Sequence, residues 1–314
     1  MFRAPSPFAR RLALESLESR RQLAGMVELA LDGGNWTFTG DGAANGIEVE
    51  LVAQGEYLVR GTYQGGDVTK IKIAGFDDLV DTEFHVFSNL ANLAANMNGG
   101  DDHLRLVGRG LGSEALRMST LAVNAAEGDD TLELKYVSTS RLAADLGAGH
   151  DELTMYGVSM LIWGWPTPGF GTPSITTGAG KDRVEITDSR FRSLRIDAGA
   201  DSDEVLLQEV DAIWMEILTG AGDDQLAIVG GEFTSRLTID TGADHDQAAL
   251  FAVTADELYA QMGDGDDALN LIAITATSAK LLGGQGKDVL DFDSFIGVDN
   301  EFETLGTDGF ETIE

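Results

Sequence analysis

The chain has no cysteine, so neither a disulfide framework nor thiolate chemistry is open to it. Any stability outside a cell would have to come from packing or from a bound ion. Proline is scarce and confined to Pro5, Pro7, Pro166, Pro168 and Pro173, which leaves the remaining stretches free to form strand ladders. Basic residues are also few: 21 Lys and Arg stand against 53 Asp and Glu, a formal charge of −32 over 314 residues. Five of the arginines (Arg3, Arg10, Arg11, Arg20, Arg21) lie in the first 25 residues, so the rest is more acidic still. That balance excludes a nucleic-acid or anionic-membrane partner, both of which require positive charge, and favours cations. No apolar run is long enough to cross a membrane as a helix. The apolar content of 43% is nevertheless enough to build a core and argues against global disorder.

What the chain has instead is a period. Residues Gly220 to Ile228 read Gly-Ala-Gly-Asp-Asp-Gln-Leu-Ala-Ile, a Gly-x-Gly-x-Asp-x-apolar-x-apolar pattern. With the fifth residue as anchor, the series is Asp102, Asp130, Asp151, Asp182, Asp203, Asp224, Asp246, Asp267 and Asp288. Successive anchors are 28, 21, 31, 21, 21, 22, 21 and 21 residues apart, so the two long spacings read as insertions into single coils. The residues two and four after every anchor are apolar, from Leu104/Leu106 to Leu290/Phe292, which is the period of a strand. A second apolar pair precedes the turn, as in Leu194/Ile196 and Leu237/Ile239. One such coil cannot bury its apolar face, but a stack can. The pattern predicts an all-β, right-handed parallel β-solenoid (β-helix) with rungs of about 21 residues.

The turn glycines follow from backbone shape, because the turn needs positive φ. They recur four residues before the anchor, with Asn98 a tolerated substitute and Ala126 a misfit. Asp201 and Asp244 replace the glycine two residues before it. The anchor Asp has no such explanation. Rungs about 4.8 Å apart would line up the carboxylates, each adjacent pair repelling by roughly 1 to 3.5 kcal/mol at effective dielectrics of about 80 to 20. Asp101, Asp129, Asp223, Asp264 and Asp266 thicken the column. A cation between turns would relieve this. Carboxylates with turn carbonyls are hard oxygen ligands that suit Ca²⁺ better than Mg²⁺. The alternative is that each Asp caps its turn by accepting backbone N–H groups. His103, His150 and His245 flank anchors at positions expected to face solvent, and do not read as a soft-metal set.

Gly283-Gly-Gln-Gly-Lys-Asp-Val-Leu-Asp291 resembles the full nonapeptide of the hemolysin-type (RTX) calcium-binding repeats, and Met262–Asn270 and Thr219–Ala227 match all but the first Gly. The resemblance implies that several Ca²⁺ ions are held by the anchor Asp residues with Asp101, Asp129, Asp223 and Asp266, and by turn carbonyls such as Gly149, Gly180, Gly222, Gly265 and Gly286. RTX rolls carry two nonapeptides per coil of about 18 residues, whereas this chain has one per 21, so the implied calcium edge is on one side only.

Around the repeats the chain divides into residues 1–25, 26–97, 98–292 and 293–314. The first segment resembles the LEPR-XLL sorting motif of planctomycete exported proteins through Leu14, Glu15, Leu17, Glu18, Arg20 and Leu23, with Ser19 and Gln22 departing from it. That implies a secreted or cell-surface protein. Residues 26–97 read as a β-rich hairpin cap, with Asn45-Gly46 as a tight turn. The insertion at 162–172 holds Trp163, Trp165 and Phe170, which suit either a lid or a loop that stacks on a polysaccharide or on another surface protein. The end of the chain reads as a degenerate tenth turn at Gly306–Phe310, with Phe295, Phe302 and Phe310 plugging the core. The function expected is a non-catalytic calcium-binding surface, matrix or adhesion module. The rivals are a β-helix polysaccharide lyase or hydrolase, and a carbohydrate-binding module; a lyase would want more basic residues than this chain offers.

Overall fold

The computed structural model describes residues 25–64, 67–76, 80–160, 172–292 and 299–313. The LEPR-XLL-like residues 11–23, Trp163, Trp165, Phe170 and Phe295 lie outside them. Strands dominate, and the long run of them is stacked in parallel, as the period requires. Each regular rung has a five-residue strand such as Glu204–Gln208, a corner at Glu209 and Val210, and an eleven-residue strand such as Asp211–Ala221. The glycine turn then leads into the next five-residue strand, Gln225–Val229.

In the regular rungs short strands pair with short strands and long with long, in register from rung to rung: Val205 faces Leu226, and Ile196 faces Ile217. Among the described residues this gives one sheet of 13 strands and one of 15, both including antiparallel strands at the N-terminal end. Midway along the long strand two successive residues, Ile213 and Trp214, turn away from the core, which bends the strand and gives the coil a third side.

Alternation does the folding. Seventeen of the eighteen apolar residues that follow the anchors are buried, and the eighteenth, Phe292, packs against the core from its end. Each side chain inside a rung stacks on its equivalents above and below, so one continuous apolar column runs the length of the stack. The single 22-residue rung is accommodated by a bulge between Phe233 and Arg236, where the long strand absorbs its extra residue.

At the N-terminal end antiparallel hairpins are present, Met26–Asp32 with Asn35–Thr39 and Gly46–Ala53 with Glu56–Gly61. Within them lies one further rung. Asn35–Thr39 runs parallel to Asn92–Asn96, and Gly46–Ala53 runs parallel to His103–Val107. Asn45-Gly46 is therefore not the tip of a hairpin: the register sets Asn45 level with Asp102, at the anchor position of this rung. Two departures hide it from the period, an amide in place of the acid and an excursion that stretches the spacing to the next anchor. At the other end, Glu301–Asp308 and Thr312–Ile313 add a last parallel rung, with Phe302 and Phe310 against the core.

Candidate functional site

The glycine turns are held by two constraints. The backbone is left-handed four residues before each anchor, from Gly147 (φ 105°) to Gly284 (φ 115°), and Asn98 and Ala126 adopt it too, at 72° and 81°. Asp201 and Asp244 take the same region, at 76° and 81°. Contact between rungs is the second constraint, and the sequence does not announce it. A Cβ at Gly199 would lie 1.9 Å from the carbonyl oxygen of Gly178 in the rung before, and one at Gly180 would lie 1.8 Å from that of Gly149. The carbonyls of Gly149 and Gly265 thus point along the stack into the space that the glycine of the next rung leaves open.

The nine anchor aspartates face inward with the apolar residues, and each is at most 3% exposed. One oxygen of each, Oδ1, accepts the backbone N–H of the anchor residue one rung earlier. Asp182 N–H donates to Asp203 at 2.8 Å, Asp203 N–H to Asp224 at 2.8 Å, and Asp267 N–H to Asp288 at 3.0 Å. Asn45 N–H opens the series by donating to Asp102, and Glu311 closes it by accepting from Asp288. The sequence left turn capping and metal binding as alternatives. The structure shows the N–H acceptance, but between rungs rather than within one turn.

The other oxygen, Oδ2, is buried without a hydrogen-bond partner in all nine aspartates. Burial pushes the carboxyl of Asp102 up to about 8, those of Asp151, Asp203 and Asp246 to about 7, and those of Asp130 and Asp267 to about 6. It raises Asp182, Asp224 and Asp288 as well. The N–H received from the neighbouring rung works in the opposite direction throughout. Beside Asp182, Asp224 and Asp246 sit buried threonines (Thr177, Thr219, Thr241). Their hydroxyls donate to the carbonyls of Ala198, Thr241 and Met262 at 2.8, 2.9 and 2.5 Å. Sequence reading missed these threonines, although their place five residues before three of the anchors was a usable signal.

Asp101, Asp129, Asp223 and Asp266 do not thicken this column. They are exposed and form a second ladder of opposite sense, in which a side chain accepts the N–H of the following rung. Asp129 N–H donates to Asp101, His150 N–H to Asp129, and Lys181 N–H to Nδ1 of His150 at 2.9 Å. Further along, His245 N–H donates to Asp223, Asp266 N–H to Nδ1 of His245, and Lys287 N–H to Asp266. Asp264 stands apart and accepts from the Gln285 side chain. His150 and His245 are exposed as expected, whereas His103 is half-buried, and burial lowers its pKa.

Among the described residues no three His, Asp or Glu side chains converge as a metal-binding group. A cation at the inner ladder would therefore need main-chain or hydroxyl oxygens as well as carboxylates. The donor chemistry allows this, since unpartnered carboxylate oxygens, threonine hydroxyls and turn carbonyls are all hard ligands. No described helix is long and apolar enough to cross a membrane. No family model, curated protein or solved structure matches this chain.

Proposed function

We propose that this chain is a non-catalytic, calcium-binding β-solenoid that is exported and serves as a surface, matrix or adhesion module. The observation that carries the reading is the row of nine buried, unpartnered Asp Oδ2 atoms. An unsatisfied buried acceptor costs about 1–3 kcal/mol and a bare buried charge more, so nine in a row call for a partner. A proton or a cation can supply it. Near neutral pH, where six of the nine carboxyls have pKa values of about 6 to 8, part of the column is ionised and open to a cation.

Asp Oδ2 atoms would hold the ion, together with turn carbonyls and, beside Thr177, Thr219 and Thr241, a hydroxyl. Bound Ca²⁺ supplies the positive charge that the column lacks. Binding would be linked to folding, so the stack would be firm at extracellular calcium and looser at cytoplasmic levels. The basic N-terminal segment supports export through its likeness to the LEPR-XLL motif. A right-handed winding, the hand that parallel crossovers overwhelmingly take, belongs to the same proposal.

The test is calorimetric titration of Ca²⁺ into chelator-stripped protein, with thermal melts alongside. Several sites per chain and a raised melting temperature are expected. Asp224→Asn keeps an oxygen for the Asp203 N–H but removes the charge, so it should lose calcium uptake locally while the metal-free melt is nearly unchanged. No heat and an unshifted melt would leave protons, rather than calcium, as the partners of the column.

A further inference from the structure

Opposite the glycine turns, the corner that follows each short strand is built on a left-handed residue in rung after rung. In the C-terminal rungs that residue is small: Gly230, Ala252 and Ala273. In three rungs of the middle it is large, with Tyr136 at φ 52°, Asp188 at 49° and Glu209 at 52°. A non-glycine residue here carries about 1–2 kcal/mol of backbone strain, and such strain collects at sites that use it. These three residues line one groove of about 710 Å³.

The groove is seated by glycines. Tyr136 folds over Gly157, where a Cβ would meet its ring at 2.7 Å, and Glu209 folds over Gly230, where a Cβ would meet its carboxylate at 2.7 Å. Tyr136 and Tyr156 pack edge to face with ring centroids 5.4 Å apart, and Asp188 lines the same groove. Leu111, from the first inserted segment, forms one wall. Ser159, on the strand that the second insertion follows, forms another part. Insertions into stacked repeats commonly build a binding face, and the first long spacing of this chain falls beside this groove.

We propose that this groove binds a neutral oligosaccharide. Aromatic rings beside carboxylates suit a sugar, whose ring is apolar on its faces and lined with hydroxyl donors at its edge. Two observations decide against charged ligands. Arg190, the only cation among the described lining residues, is already paired with Asp211 at 3.1 Å, and the chain as a whole repels polyanions. A cationic ligand would meet the charge of Lys135, whose Nζ lies 5.7 and 6.0 Å from the centroids of Tyr136 and Tyr156.

The test titrates the full chain, in calcium and in chelator, with cellohexaose, laminarihexaose, xylohexaose and mannohexaose. Polygalacturonate and tetramethylammonium are the charged probes. Binding of at least one neutral hexasaccharide is expected, weakened about tenfold or more by Tyr156→Ala and less by Tyr156→Phe, which keeps the ring. Trp214→Ala, on the outer face of the long-strand sheet, should leave binding intact and controls for folding. Failure of all four neutral sugars, preference for either charged probe, or indifference to Tyr156→Ala would each overturn the proposal. Retention of sugar binding in chelator would separate this site from the calcium column.

Discussion

The two corners of the coil obey different rules. At the glycine turn rung after rung repeats the same backbone solution, with few changes of residue (Asn98, Ala126, Asp201, Asp244 and Asn45), because carbonyls, glycines and inward acids of adjacent rungs interlock. At the opposite corner only the left-handed backbone recurs, while the side chain runs from glycine and alanine to tyrosine, aspartate and glutamate. The stack needs the first corner for its own assembly and leaves the second free to vary. Period therefore marks structure here, and departure from period marks the surface available for binding.

The sharpest way to break the glycine corner is to titrate it as a whole. Six of the anchor carboxyls have folded pKa values of about 6 to 8, above an unfolded value of about 3.9, and burial raises the other three as well. The folded chain thus holds more protons than the unfolded one. Its contribution is complete below about pH 4 and is lost as pH rises through about 6 to 8. Chelator-stripped protein should melt at progressively lower temperature from about pH 5 to pH 9, and saturating Ca²⁺ should flatten that slope. A melting temperature that climbs with pH in chelator would contradict a buried acid ladder.

A single rung can be broken next. Gly199→Val combines a φ of 109° with a Cβ that would overlap the Gly178 carbonyl, and should cost on the order of 3 kcal/mol or more in urea unfolding. The same measurement on Gly306→Ala, where a Cβ would meet nothing within 4 Å, should show a change within about 0.5 kcal/mol. Asp203→Leu leaves the Asp182 N–H buried without an acceptor and should cost about 2 kcal/mol, whereas Asp203→Asn should retain most of it. At the variable corner the sign reverses. Glu209→Gly relieves a left-handed residue and should raise stability by about 0.5–1 kcal/mol in the same unfolding series.

The repeat was legible in the sequence because alternation and stacking act on side-chain types: inward positions must be apolar, and the turn must be glycine. The extra rung at Asn45 was not, since an amide replaces the acid and a long excursion separates it from Asp102. The column of acids was legible as residues but not as geometry. That Asp102 and Asp101 point to opposite sides depends on which of two neighbours follows the inward alternation, and Asp102 shares its parity with Leu104. Read that way, the inner and outer ladders could have been separated beforehand. The groove at Tyr136 and Asp188 could not, because its residues share neither type nor motif, only a backbone conformation.

The inner ladder also spans the interruptions. Asp102 N–H reaches Asp130 at 2.7 Å across 28 residues, and Asp151 N–H reaches Asp182 at 2.8 Å across 31. The uninterrupted step from Asp182 to Asp203 is the same length, 2.8 Å. The fold thus counts rungs and disregards contour length. A foreign peptide grafted at either excursion would leave the spine unaltered, and duplicating one repeat would lengthen the rod by about 4.8 Å. Height and cargo are independently adjustable, as in a display frame.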